Sequence, residues 1–122
     1  MSESSNLDPS AIERLRRLGG DEFARKMIEL FFSYTEQKLA EARQALADSR
    51  FEALAEALHP VHSSAGNVGA SRVQALAARL ESLARDPTAE PMSPLLEELG
   101  EAFAAVRPDL EERKQALSGK KG

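Results

Sequence analysis

From Asp21 to about Ala47 the apolar residues Phe23, Met27, Leu30, Phe31, Tyr34, Leu39, Ala42 and Leu46 recur largely at helical spacing. A helix of this length with one apolar face must bury that face against other elements, and here the other elements also read as helices. Ala, Leu, Glu and Arg dominate the chain, Trp is absent, and Val and Ile are few, so intrinsic propensity opposes strands almost everywhere. The expectation is an all-α protein.

Local signals divide the rest. Asp8-Pro9 has the form of an N-cap followed by proline at the first helical position, opening a short extra N-terminal helix through Ile12, Leu15 and Leu18 that Gly19-Gly20 ends. Ser49 and Glu52 have capping-box spacing and predict a helix running to about Gly66-Asn67. Ser71 and Gln74 repeat the pattern before the stripe Val73, Leu76, Leu80 and Leu83. A loop from Asp86 to Ser93 follows. Ser93-Pro94 restarts a helix with Leu95, Leu96, Leu99, Phe103, Val106 and Leu110 on one side, which Pro108 is expected to kink or interrupt. Short connections between long helices predict an up-and-down antiparallel four-helix bundle. The expected organisation is a flexible N-terminus over 1–7, one helical domain over 8–117 and a disordered tail over 118–122.

Composition removes several classes of function. The chain has 122 residues, no cysteine and a formal charge of −4, so disulfides, thiolate zinc sites and cysteine nucleophiles are excluded and no basic nucleic-acid footprint exists. No apolar run approaches the roughly 20 residues that span a bilayer, and the start MSESSNLDPS lacks the basic and apolar regions of a signal peptide. A cytoplasmic protein, without nucleic-acid or membrane partners, is expected.

Only His59 and His62 offer nucleophilic or proton-transfer chemistry near neutral pH by default. At about 100° per residue, with Leu54 as zero, Leu58, Val61, Ala65 and Val68 all fall within roughly 40° of it. His59 points to roughly 140° and His62 to roughly 80°, so His59 faces solvent and His62 flanks the core. Ala55, Gly66 and Ser63 surround His59 on the outer face and leave room for a partner macromolecule. Pro60 should kink the helix beside it. Glu56 and His59 have the Glu-x-x-His spacing of di-iron bundles, but that site needs a second copy and no histidine remains to build one. No metal site is expected.

The run His59-Pro60-Val61-His62-Ser63-Ser64-Ala65-Gly66-Asn67-Val68-Gly69-Ala70 resembles the signature of histidine-containing phosphotransfer (HPt) domains. That pattern is roughly His, any residue, Leu, Lys, Gly or Ser, two small residues, any residue, Asn, an aliphatic residue, Gly, Ala. Flanking text agrees, from Met27 to Leu46 before the signature and at Leu76 and Leu80-Glu81 after it, so the resemblance spans about residues 20 to 110. Where the family usually has lysine three residues after the acceptor, this chain has His62, and the acceptor is followed by Pro60.

The resemblance implies that His59 accepts and donates a phosphoryl group, with Ala55, His62, Ser63 and Gly66 in the phosphate environment or the receiver-docking surface. It implies as partners response-regulator receiver domains and a hybrid histidine kinase, and a monomer. The chain has no acidic cluster or Gly-rich loop to hold its own nucleotide and Mg²⁺, so the resemblance implies a phosphocarrier without independent kinase activity or cofactor, with Mg²⁺ coming from the receiver. The alternative is an HPt-like binding module that docks a receiver or kinase without carrying phosphate.

Overall fold

A computed structural model describes residues 7–87 and 91–119. Among the described residues there are four helices and no strand: α1 (Pro9–Ala47), α2 (Phe51–Val68), α3 (Ser71–Arg85) and α4 (Ser93–Gly119). Each packs on the next, and α4 closes back onto α1. Cross-helix pairs fix the directions. Glu36 pairs with Arg107 and Glu29 with Lys114, so α1 and α4 run in opposite directions, and Gly66 against Gln74 with His59 against Glu81 sets the same relation for α2 and α3. The bundle is therefore antiparallel around one shared core, as its short connections predicted. No helix among the described residues is long and apolar enough to cross a membrane.

The short N-terminal helix is not a separate element. Pro9–Ala47 is one helical run, and its only non-helical residue is Gly20, at φ 91° and ψ 178°. That left-handed φ is open to glycine without a Cβ penalty, so one residue bends the run where an end was expected. The Asp8 cap forms as read: its carboxylate accepts the Ser10 backbone N–H at 3.1 Å, with Pro9 at the helix start. The preceding arm is anchored, because the Asp8 N–H donates to the Gly69 carbonyl at 2.7 Å and Leu7 is buried. Gly69, at φ 80°, lies against the Asp8 carbonyl where a Cβ would collide. Of the expected flexible ends, residues 1–6 and 120–122 lie outside the described residues, while 118 and 119 form the end of α4.

Both serine capping boxes are absent. Ser49 takes a left-handed φ of 55° and ends α1: its N–H donates to Leu46 and that of Arg50 to Ala45, the paired bonds of a Schellman stop. Helix α2 begins only at Phe51, capped by Arg50 without a side-chain bond. Ser71 is the first residue of α3, and its hydroxyl donates back to the Gly69 carbonyl at 3.3 Å. Helix α2 also runs past Gly66-Asn67 to Val68, where Gly69 and Ala70 repeat the Schellman bonds to Gly66 and Ala65.

Neither proline interrupts its helix. The carbonyls left without a partner belong to Glu56, before Pro60, and Ala104, before Pro108. Both residues are exposed, so water can satisfy them.

The core face of α2 is the one expected: Leu54, Leu58, Val61, Ala65 and Val68 are all buried. Truncating Leu58 to Ala would cost about 2–5 kcal/mol. On α1 the buried stripe is Ala24, Ile28, Phe31, Thr35, Leu39 and Ala42, whereas Leu18, Phe23, Leu30 and Tyr34 lie exposed. Phe31, Leu39 and Ala42 of the expected stripe are therefore inside, and Phe23, Leu30 and Tyr34 are not.

Candidate functional site

The outer face of α2 meets α3 along an antiparallel seam. Gly66 lets the Gln74 side chain come close, since a Cβ there would stand 2.8 Å from the Gln74 Nε2. Two turns away the same register brings His59 opposite Glu81. His59 is the more exposed imidazole, with 65% of its side chain accessible against 36% for His62, which agrees with the directions computed from the helical period. The two rings stand perpendicular, with centroids 6.3 Å apart.

Glu81 organises the site. Its side chain is only 9% exposed, yet it faces three nitrogen groups: His59 Nδ1 at 2.9 Å from Oε2, Arg85 Nη1 at 3.1 Å from Oε2, and His62 Nδ1 at 3.4 Å from Oε1. Burial pushes its pKa up, but the hydrogen bonds with His59 and Arg85 outweigh that and hold the carboxyl below the usual glutamate range. An ionised carboxylate can only accept. His59 Nδ1 must therefore carry the ring proton, which leaves the lone pair of a neutral ring on Nε2. His62 Nδ1, although close to the same carboxylate, is buried without a hydrogen bond.

The other sequence-derived residues divide. Ser63 is exposed, as expected of the outer face. Ala55 is not part of an open collar: it is 3% exposed, because α3 covers that side of α2. It lines the floor of a groove of about 390 Å³ between the two helices, with Glu52, Glu56, Ala84 and Arg85. Gly66 is half-buried and serves the α2–α3 approach. The Ser64 hydroxyl is buried without a partner.

The sequence reading missed Glu81 and Arg85 as site residues. A signal for the first was present. Glu81 falls four residues after Ala77 and three before Ala84, both buried, so it is a carboxylate at core spacing in an otherwise apolar stripe. Arg85, one turn on, supplies a permanent cation at the site that position 62 does not.

His59, His62 and Glu81 are also a set that could hold a metal ion, with one donor atom from each within 4.8 Å of the others. Glu56, the carboxylate considered from sequence, is not in it.

Comparison with known proteins follows the same lines. The family model of the Hpt domain matches residues 26–109, which include both histidines, Glu81 and Arg85. The crystal structure of histidine-containing phosphotransfer protein B (HptB) from Pseudomonas aeruginosa PAO1 aligns with a TM-score of 0.85, covering 93% of this chain and 98% of that one at 24% identity. That likeness is one of fold. No curated protein matches the sequence.

Proposed function

Since the chain belongs to the Hpt domain family, a phosphotransfer module of two-component signalling, we propose that it shuttles a phosphoryl group between receiver-domain aspartates through Nε2 of His59. The observation that carries this reading is the 2.9 Å contact between His59 Nδ1 and Glu81, which leaves the outer nitrogen free.

With its proton held on Nδ1, the ring directs the Nε2 lone pair outward. Nε2 attacks the phosphorus of an aspartyl phosphate on a docked receiver; the N–P bond forms as the P–O bond to aspartate breaks, and the carboxylate leaves with the electron pair. The phosphorylated ring is then a cation with its proton still on Nδ1, and the Glu81 carboxylate balances that charge. The reverse step loads the next receiver. Arg85 contributes fixed positive charge beside the seam, and the groove lined by Ala55 and Arg85 gives the receiver a surface next to the reacting nitrogen. In this reading the exposed Ser63, one turn along α2 from His59, donates to a phosphoryl oxygen.

Phosphoryl transfer rests on positioning and charge neutralisation. In this reading the receiver brings Mg²⁺, and the chain works as a monomeric cytoplasmic phosphocarrier that makes no phosphohistidine from nucleotide unaided. A hybrid histidine kinase supplies the upstream receiver.

Intact-mass analysis tests the assignment. After mixing with phosphorylated receivers and Mg²⁺, the native chain should gain about 80 Da, one phosphoryl group, and His59→Gln should gain nothing while keeping its helical spectrum. Undiminished labelling of His59→Gln would defeat it. Stable receiver binding without any acid-labile label would instead identify a binding module.

A further inference from the structure

We propose that His59, His62 and Glu81 form a site for a zinc-class divalent ion, and that its occupation turns the phosphoacceptor off. The second clause rests on the phosphocarrier reading; the first does not.

The donor set and its spacing carry the site. Two imidazoles three residues apart on α2 and one carboxylate from α3 make the two-histidine, one-glutamate combination that binds zinc with a further position open. Zinc holds nitrogen and oxygen donors at roughly 2.0–2.2 Å, which puts neighbouring donors of a tetrahedron roughly 3.3–3.6 Å apart. His62 Nδ1 already lies 3.4 Å from Glu81 Oε1 and His59 Nδ1 2.9 Å from Oε2, and with one donor from each residue within 4.8 Å of the others, side-chain rotations that draw the two rings together would close the set.

The second observation is His62 itself. Its Nδ1 is buried and meets Glu81 Oε1 at 3.4 Å without good hydrogen-bond geometry. A buried polar atom so loosely partnered is unfavourable, and a metal ion between nitrogen and carboxylate would satisfy it. The exposed His59 ring gives an ion access from solvent. Arg85 also contacts Glu81, but its side chain is 61% exposed and can turn away into water. Imidazole donors favour zinc and its neighbours over Mg²⁺, so the receiver's ion would not compete for this site.

Occupation would act through the tautomer. A neutral His59 that coordinates through Nδ1 must carry its single proton on Nε2, the nitrogen that needs a lone pair to attack phosphorus. The exchange is balanced: Nδ1 releases its proton to solvent as the metal binds and Nε2 takes one up from solvent, so no net proton is lost. The nucleophile is thereby removed without moving the helix.

The test uses the full chain, tag-free and cleared of metal, with Zn²⁺ as the probe. Competition against a chromophoric chelator should give one zinc per chain, and the Nδ1 resonances of both histidines should shift. His62→Gln and Glu81→Gln should each weaken binding about tenfold or more, and Mg²⁺ should leave the resonances in place. Absent binding, equal binding by the variants, or unmoved imidazole signals would overturn the site. Phosphoryl uptake from a receiver is then compared with and without zinc, each variant scaled to its own zinc-free rate. Zinc should slow the native chain about tenfold or more and leave the His62→Gln ratio near unity; equal slowing of both would locate the effect in the receiver and overturn the switch. Failure of the zinc-free native chain to take phosphate would count against the phosphocarrier reading alone, since the zinc titration stands without it.

Discussion

Two of the bundle's helix seams, α1–α4 and α2–α3, are both lined with charge but use it differently. Along α1–α4, Arg107 reaches Glu36 and lies over Phe32, 4.7 Å from the ring centre, and Lys114 reaches Glu29. Glu36 serves Arg107, while Lys114 lies between Glu29 and Glu111 and Glu29 also meets Arg25; all three carboxylates are about half exposed. Along α2–α3 a single, nearly buried carboxylate faces two imidazoles and a guanidinium, and one imidazole nitrogen is left without a hydrogen bond. Exposed pairs of this kind brace a surface and contribute little each. A shared, desolvated carboxylate instead fixes the tautomer of one exposed ring. Charge at the α2–α3 seam therefore points to function because one buried carboxylate is shared among several groups, not because charge is plentiful there.

If the seams differ in this way, exchanging a charge on each should give opposite results. Glu81→Gln should slow phosphoryl uptake about 10–100-fold, because a neutral amide holds the Nδ1 proton less firmly and does not balance the phosphorylated ring. Arg107→Ala should leave uptake within about twofold and lower stability by about 1 kcal/mol, from one exposed ion pair and the contacts with the Phe32 and Phe103 rings. Stopped-flow transfer and urea denaturation on both variants would show whether the effects separate; a large transfer defect in Arg107→Ala would break the comparison.

Acid should sharpen the distinction by a smaller margin. The Glu81 carboxyl is held below its ordinary range in the folded chain, so the unfolded chain takes up that proton first as pH falls. Its contribution is full above the unfolded pKa and fades as pH drops through the depressed folded value. Between neutrality and about pH 3.5, urea midpoints in metal-free buffer should fall less steeply for Glu81→Gln than for the native chain. Parallel slopes would mean that the seam gives Glu81 no preferential hold on its charge.

Legibility in the sequence followed the same divide between local and non-local structure. The core face of α2 was readable because Leu54, Leu58 and Val61 stand in sharp contrast to His59 and Ser63, and the direction of His59 followed from the helical period alone. The inner face of α1 was readable only in part: Phe31, Leu39 and Ala42 of the expected stripe are buried, but Ala24 and Thr35 carry weak apolar signals while Phe23, Leu30 and Tyr34 remain outside. Ser49 and Ser71 misled as caps because serine also suits a helix stop or a bond back to a turn carbonyl. The partner of His59 depends on the α2–α3 register, which no single-helix pattern contains. Core spacing marked Glu81 as unusual, but only the folded seam shows what it holds.

The most direct measurement is the ring nitrogen that bears phosphorus. Histidine labelled with ¹⁵N, in native chain phosphorylated by a receiver, should show the N–P bond at Nε2 of His59 and a proton retained on Nδ1. Phosphorus on Nδ1, or on either nitrogen of His62, would contradict the account, because the Glu81 contact would then not be what selects the nucleophile.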